Sequence, residues 1–231
     1  MRKLKYFVAC TVDGFIAAED GSLDAFVNDR AYFTELFESF PETCPDHLRE
    51  VLGVRGENRH FDTVLMGRNT YELGLKIGLS SPYPTLEQYV FLTTMGESPD
   101  EDVTLVPENA AGLVGELKSE PGKDIWLVGG ASLAGSLFSE GLLDELLLKV
   151  NPVVLGSGIP LFSGTVDRTR LELTDSETYR GGVASLRYSA TCALGLRRPA
   201  SPVAADQPPR RCSRLGRAGA GKGGVWPICL K

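Results

Sequence analysis

Ile125-Trp126-Leu127-Val128-Gly129-Gly130-Ala131-Ser132-Leu133-Ala134-Gly135-Ser136-Leu137 is the stretch around which the rest of the chain can be arranged. Ile125 to Val128 form a short apolar run, too short for a useful helix, that reads as a buried strand and leads directly into two glycines. Beyond them the period changes. Leu133, Leu137 and Phe138 share one face of a helix that opens near Ser132 and is ended by Gly141. A strand, a double glycine and a helix N-terminus turn unpaired backbone N–H groups and the positive end of the helix dipole toward the turn, and residues without Cβ let an anion come close. The same residues also suit an ordinary strand-to-helix turn, so the choice between the two rests on the rest of the chain.

Upstream, residues 5–12 are aromatic and β-branched and apolar on both faces, as a central strand should be. They end at Asp13-Gly14, a turn signal, followed by a short apolar segment at 15–18. Tyr32, Phe33, Leu36, Phe37 and Phe40 line one face of a helix over 29–40, stopped by Pro41, and the phenylalanines read as core rather than as a stripe that stacks on a ligand. A further helical turn falls within 45–56. Residues 61–67 are a second buried strand that ends at a glycine, followed by Arg68-Asn69-Thr70-Tyr71-Glu72. Strands at 88–94 and 103–106 and a helix over 110–117 precede the opening stretch.

Downstream, residues 146–150 read as a strand cut short by Asn151-Pro152, and 154–162 as an apolar, glycine-studded loop. Residues 171–179 and 183–189 alternate apolar and polar residues around Arg180-Gly181-Gly182, the pattern of an antiparallel hairpin. Strands alternating with helices and ending in a hairpin predict an α/β fold: a mixed, mostly parallel sheet flanked by helices on both faces, with a C-terminal antiparallel hairpin.

That domain is expected to fill residues 1–190, and 191–231 to be a disordered basic tail rich in Pro, Gly and Arg. Residues 197–231 carry eight Lys or Arg and one acid, so the preceding 196 residues hold 16 basic and 29 acidic side chains. A body this acidic argues against a nucleic-acid surface. The chain has no apolar run of the roughly 18 residues a membrane span needs. Its basic start runs into a strand rather than a leader, and its five cysteines are scattered without a CxxC pair, so a cytoplasmic location, no disulfide framework and no metal site are expected.

Several chemistries lack their parts. There is no G-x-G-x-x-G fingerprint, and Gly130-Ala131-Ser132-Leu133-Ala134 lacks the last glycine of a nucleophile elbow. His47 and His60, the two histidines, fall in segments that read as surface. Hydride transfer survives, because a cofactor carries the chemistry and the protein supplies binding, orientation and a dry site. Three strand ends suit a phosphorylated nucleotide: Gly67 with Arg68, Asn69 and Thr70; Leu92 with Thr93 and Thr94; and Gly129-Gly130 with Ala131 and Ser132.

Four ordered motifs, at 11–17, 62–72, 128–133 and 152–162, resemble the dihydrofolate reductase superfamily, in particular the C-terminal reductase domain of the bifunctional riboflavin-biosynthesis deaminase/reductase. The resemblance covers about residues 3–190 and implies an NADPH-dependent reductase in stand-alone form. It sets Ala9, Ile16 and Ala17 against the nicotinamide and its ribose. Gly67, Arg68, Asn69 and Thr70 would hold phosphates, with Arg68 near the adenosine 2′-phosphate, and Leu92, Thr93 and Thr94 would meet the adenosine half. Gly129, Gly130, Ala131, Ser132 and Leu133 would bind the pyrophosphate, across a cis Gly129–Gly130 bond.

Asp13, Gly156, Gly158, Pro160 and Leu161 would border a small-molecule substrate, heterocyclic and of the phosphoribosylamino-pyrimidine type; for Asp13 the reading as a simple turn former stays open. The resemblance also implies a homodimer through the C-terminal strands. The proton donor is open among Asp24, Asp29, Glu35 and water, and the chain shows no Lys/Arg cluster for a ribose phosphate. A dihydrofolate reductase proper and a non-catalytic nucleotide-binding or ligand-sensing protein on the same fold are the alternatives.

Overall fold

The apolar runs become strands and the amphipathic ones helices, in the order β1 Leu4–Thr11, β2 Phe15–Ala17, α1 Arg30–Ser39, α2 Asp46–Leu52, β3 Phe61–Gly67, α3 Arg68–Lys76, β4 Glu87–Phe91, β5 Val103–Val106, α4 Ala110–Ser119, β6 Asp124–Gly129, α5 Ala131–Ser139, β7 Glu145–Asn151, β8 Ile159–Pro160, β9 Glu172–Thr178 and β10 Ala184–Ser189. The computed structural model describes residues 1–92 and 97–190. Thr93, Thr94 and the expected basic tail over 191–231 lie outside them.

Eight strands form one sheet in the order β5-β4-β3-β6-β1-β7-β10-β9. β1 pairs in parallel with β6 and β7, and β3 with β6 and β4, whereas β10 runs antiparallel to both β7 and β9. This is the expected mixed, mostly parallel sheet with a C-terminal hairpin. All the parallel strands present their carboxyl ends along one edge.

Both faces of the sheet are covered. On one side Phe7, Val64, Met66 and Trp126 pack against Tyr32, Leu36 and Phe37 of α1, Leu48 of α2 and Tyr71 of α3. On the other, Tyr6, Leu65, Ile125 and Leu127 pack against Val114 and Leu117 of α4 and Ala134 and Leu137 of α5. Side chains that alternate along each strand feed the two layers, which is why these strands are apolar on both faces.

Ion pairs close the amino edge. The buried Arg2 guanidinium donates to the Asp62 carboxylate, to Thr63 Oγ1 at 2.5 Å and to the Lys123 carbonyl at 2.5 Å, which ties the start of the chain to the starts of β3 and β6. Lys5 reaches Asp124 at 2.8 Å, Lys3 reaches Glu145 at 2.6 Å and Lys118 reaches Asp144 at 2.6 Å.

The structure differs from the sequence reading at a few places. β1 stops at Thr11 because Val12 is 64% exposed and its N–H turns to the Val153 carbonyl. Asp29 is the cap of α1 rather than its first residue: its carboxylate accepts from the N–H groups of Ala31 and Tyr32. The loop over 154–162 contains a short strand, β8, antiparallel to β2. His60 is half-buried, its ring 4.6 Å from that of Phe40 and its Nε2 within 3.1 Å of the Ser39 carbonyl, so it is a packing residue rather than a surface one. No described helix is long and apolar enough to cross a membrane.

Candidate functional site

A cleft of about 1200 Å³ runs along the carboxyl edge of the parallel strands, the place where open α/β sheets take ligands. One half is built from backbone. β3 ends at Gly67 and β6 at Gly129, and α3 and α5 begin directly behind them. The two tips come so close that a Cβ on Gly67 would sit 2.9 Å from the Gly130 nitrogen, so only glycine fits there. The Gly129–Gly130 peptide bond is cis.

Neither of these helices has a side chain capping its first turn, whereas α1 is capped by Asp29 and α4 by Asn109. The N–H groups behind Gly67 and Gly130 are therefore open to the cleft at the two places where a ligand could take them, and the dipoles of both helices point there. Arg68 stands at the mouth, 52% exposed, with its Nε donating to Glu72 at 2.6 Å one turn further along α3. Leu92 and residues 106–110 line the far side of this half.

The other half is aromatic and nonlocal. Phe33 and Phe37 of α1, ring planes 13° apart and centroids 5.8 Å apart, face the cleft with Phe26, opposite Ala9, Ile16 and Ala17. Phe33 and Phe37 thus serve both readings, as core side chains whose outer faces form a cavity wall. Phe7 and Trp126 form the floor; the indole N–H of Trp126 donates to the Phe7 carbonyl at 2.9 Å and is thereby fixed. Gly158 packs against β2 so tightly that a Cβ would lie 2.3 Å from the Ala17 carbonyl oxygen, which brings Gly158 and Pro160 to the cleft rim.

Sequence reasoning missed two residues of this half, Lys149 and Asn151, which alternate with Val150 on β7 and enter the cleft from below. The Lys149 ammonium lies 3.9 Å from the centroid of the Phe7 ring. Burial pushes its pKa down to about 8, while burial pushes the neighbouring Cys10 thiol up to about 11. Asn151 accepts from the Val27 N–H at 3.0 Å and donates to the Lys149 carbonyl at 3.0 Å, and so anchors the segment that precedes α1. A lysine inside an otherwise apolar strand was the signal in the sequence.

Of the expected site residues, Ala9, Ile16, Ala17, Gly67, Arg68, Asn69, Thr70, Leu92, Gly129, Gly130, Ala131, Ser132, Leu133, Gly158 and Pro160 line this one cleft. Asp13, Gly156 and Leu161 stand outside its lining. The Asp13 carboxylate accepts from Thr11 Oγ1 at 2.6 Å, from the Gly156 N–H at 2.7 Å and from the Leu155 N–H at 3.1 Å, bonds that hold its pKa below the ordinary carboxylate range, the Thr11 hydroxyl foremost. The Leu161 N–H donates to the Gly14 carbonyl at 2.9 Å and its own carbonyl accepts from Tyr6 at 3.0 Å. These residues clasp the loop that carries β8.

None of the three carboxylates considered as proton donor lines the cleft either. Asp29 caps α1, Glu35 accepts from Arg180 at 2.7 Å, and Asp24 is exposed. Among the described residues no group of three or more His, Cys, Asp or Glu is arranged to hold a metal ion.

With this geometry in view, the chain can be set beside known proteins. The family model for the RibD C-terminal domain matches residues 85–185. Uncharacterized protein YwjB of Bacillus subtilis (strain 168) is 34% identical over 187 residues, covering 81% of this chain and 97% of that one. Uncharacterized protein YyaP of the same strain is 32% identical over 198 residues, covering 81% and 94%. Among solved structures, a protein of Shewanella sp. PV-4 named for riboflavin biosynthesis superposes with a TM-score of 0.59 at 26% identity, over 83% of this chain and 99% of that one. The deaminase/5-amino-6-(5-phosphoribosylamino)uracil reductase of Thermotoga maritima shares the fold, with a TM-score of 0.55 at 13% identity over 82% of this chain and 57% of that one. The sheet order, the paired glycine tips and these matches agree, and the chain belongs to the RibD C-terminal domain family.

Proposed function

We propose that this protein is an NADPH-dependent reductase of the riboflavin-biosynthesis reductase type, which delivers a hydride to a C=N or C=O group of a heterocyclic small molecule. The observation that carries the reading is the meeting of two glycine-ended strand tips, Gly67 and Gly129 with the adjoining Gly130, under two uncapped helix N-termini in one cleft. Such a cradle fits a pyrophosphate: backbone N–H groups donate, both dipoles favour negative charge, and no Cβ intrudes.

The residues divide the work. Gly129, Gly130, Ala131, Ser132 and Leu133 would take the pyrophosphate, and Gly67, Asn69 and Thr70 would close on it from the other side. Arg68 would exchange Glu72 for the 2′-phosphate that separates NADPH from NADH, and Leu92 would lie against the adenosine. Ala9, Ile16 and Ala17 would border the nicotinamide, whose reduced ring supplies the hydride when bound. Small and apolar residues there permit close approach, and the floor of Phe7 and Trp126 excludes water from the reacting atoms. Gly158 and Pro160 would border the substrate, held in position by the Asp13 clasp rather than by contact from Asp13 itself.

The test is a fluorescence titration with both dinucleotides. Wild type should prefer NADPH. Arg68→Ala should weaken NADPH by about 10- to 100-fold, the worth of one or two charge-assisted hydrogen bonds, and NADH by less than about threefold. Equal losses for the two cofactors would remove Arg68 from the phosphate site.

We also propose self-association through the sheet edge. β9 is exposed along its whole length and carries Leu173, 52% exposed, so its unpaired edge is open to a second copy. Light scattering on the eluting protein decides between monomer and dimer.

A further inference from the structure

The cleft's cations are unevenly placed. Arg68 and Lys76 both belong to α3, in the half with the glycine tips. In the aromatic half Lys149 is the cation among the described lining residues, and the acids Glu19 and Asp20 line that same half. A phosphate on the substrate would meet those carboxylates and a single lysine, whereas a flat uncharged ring would meet an aromatic wall made by half-buried Phe33 and the more deeply buried Phe37.

Resting on the reductase reading, we propose that the substrate is a flat heterocycle with a conjugated C=N or C=O system and no phosphate, and that Lys149 is its proton donor. β7 pairs with β1 so that Lys149 lies beside Ala9, the residue proposed to border the nicotinamide. The ammonium therefore rises next to the place where a hydride would arrive. Among the described residues no carboxylate lies within ion-pair distance of it.

Three elements pack around Lys149. β1 contributes Phe7, Ala9 and Cys10, β10 sets Ser185 opposite it in register, and α1 contributes Tyr32 to the same cavity wall. Cys10 and Tyr32 are the titratable groups among these, and β10 adds a second cation, Arg187, two residues from Ser185 on the same face; burial raises Cys10 and Tyr32, so both are neutral near pH 7, and none of the three answers the ammonium charge. Its lowered pKa then suits an acid that works near neutrality.

Hydride adds to one end of the conjugated system, and the π pair moves onto the terminal oxygen or nitrogen. A Lys149 N–H bond breaks and its proton joins that atom, leaving a neutral amine that solvent reprotonates. The dinucleotide loses two electrons and the heterocycle gains them.

Riboflavin and FMN are a matched pair of flat acceptors without and with a phosphate, and the wild type, Lys149→Met and Lys149→Arg are the proteins to compare. Oxidation of NADPH should be at least tenfold more efficient with riboflavin than with FMN, and should fall on the alkaline side with an apparent pKa near that of Lys149. Lys149→Met should bind NADPH within about threefold of wild type and lose about 100-fold or more in turnover, the size of one general-acid contribution. Lys149→Arg, which holds its proton, should stay as slow and lose the alkaline limb.

A readout free of turnover is the lysine ¹³Cε resonance that vanishes in Lys149→Met. In wild type it should titrate well below the other lysines and move when riboflavin is added to the protein with NADP⁺. FMN used as well as riboflavin, full turnover by Lys149→Met, or a Lys149 resonance unmoved by riboflavin would each overturn the proposal. A wild type that binds no NADPH would instead remove the reductase reading, and this inference with it.

Discussion

The two edges of the sheet are built on opposite terms. At the amino edge the starts of β1, β3, β6 and β7 are tied down by charge: Arg2 to Asp62, Lys5 to Asp124, Lys3 to Glu145 and Lys118 to Asp144. At the carboxyl edge Arg68 pairs only with Glu72 of its own helix, exposed at the mouth, and among the described residues the groups deeper in the cleft are left without ionic partners. Two helices open uncapped behind glycines, and a lysine rests on a phenylalanine ring. One edge satisfies its polar groups internally and holds the fold, and the other keeps them available for something that binds.

The sharpest way to break this comparison is to cut each edge and see what is lost. Asp62→Ala leaves the buried Arg2 guanidinium without its ionic partner, and should cost about 3 kcal/mol of stability in urea unfolding while NADPH affinity at a temperature where the protein is folded stays unchanged. A change in cofactor affinity would mean the edges are coupled.

Lys149→Met should act the other way. Burial holds the Lys149 pKa down at about 8, so between about 8 and the ordinary lysine value near ~10.4 the folded chain binds fewer protons than the unfolded one. Wild-type stability should therefore rise as pH climbs through that window, and below it carry a constant penalty. The variant should be more stable at pH 7, by about 2 kcal/mol once solvent access through the cleft is allowed for, and should lose the slope. A variant less stable than wild type at pH 7 would place Lys149 with the structural charges.

Gly67→Ala sharpens the comparison within the carboxyl edge. Its Cβ would meet the Gly130 nitrogen at 2.9 Å, and because that neighbour is backbone the tips must part, with a stability loss of about 1–3 kcal/mol and a loss of about tenfold in NADPH affinity. Urea unfolding reads the stability loss, and calorimetric titration of the folded variant reads the affinity.

What the sequence revealed follows the same division. The glycine-tip half was legible because each piece is local: a strand, a glycine and a helix start within a dozen residues, at 61–72 and again at 125–137. The aromatic half was not. Lys149 and Asn151 sit in a strand read for its leucines, and they reach the cleft only because β7 lies in parallel beside β1, a pairing between residues about 140 apart that no local pattern specifies. The strand β8 was read as loop because two residues, one of them proline, carry no alternation, and its pairing to β2 depends on the close approach of Gly158 to Ala17. The carboxylates Asp24, Asp29 and Glu35 drew attention by their place near the first helix, but a cap and a surface ion pair account for two of them.

The most direct measurement is a backbone amide NMR titration with NADP⁺. The account expects the largest shifts at Arg68 and Asn69 and at Ala131, Ser132 and Leu133, saturating together as one ligand fills both helix starts. Binding of NADP⁺ that moves only one of these two groups, or neither, would contradict it.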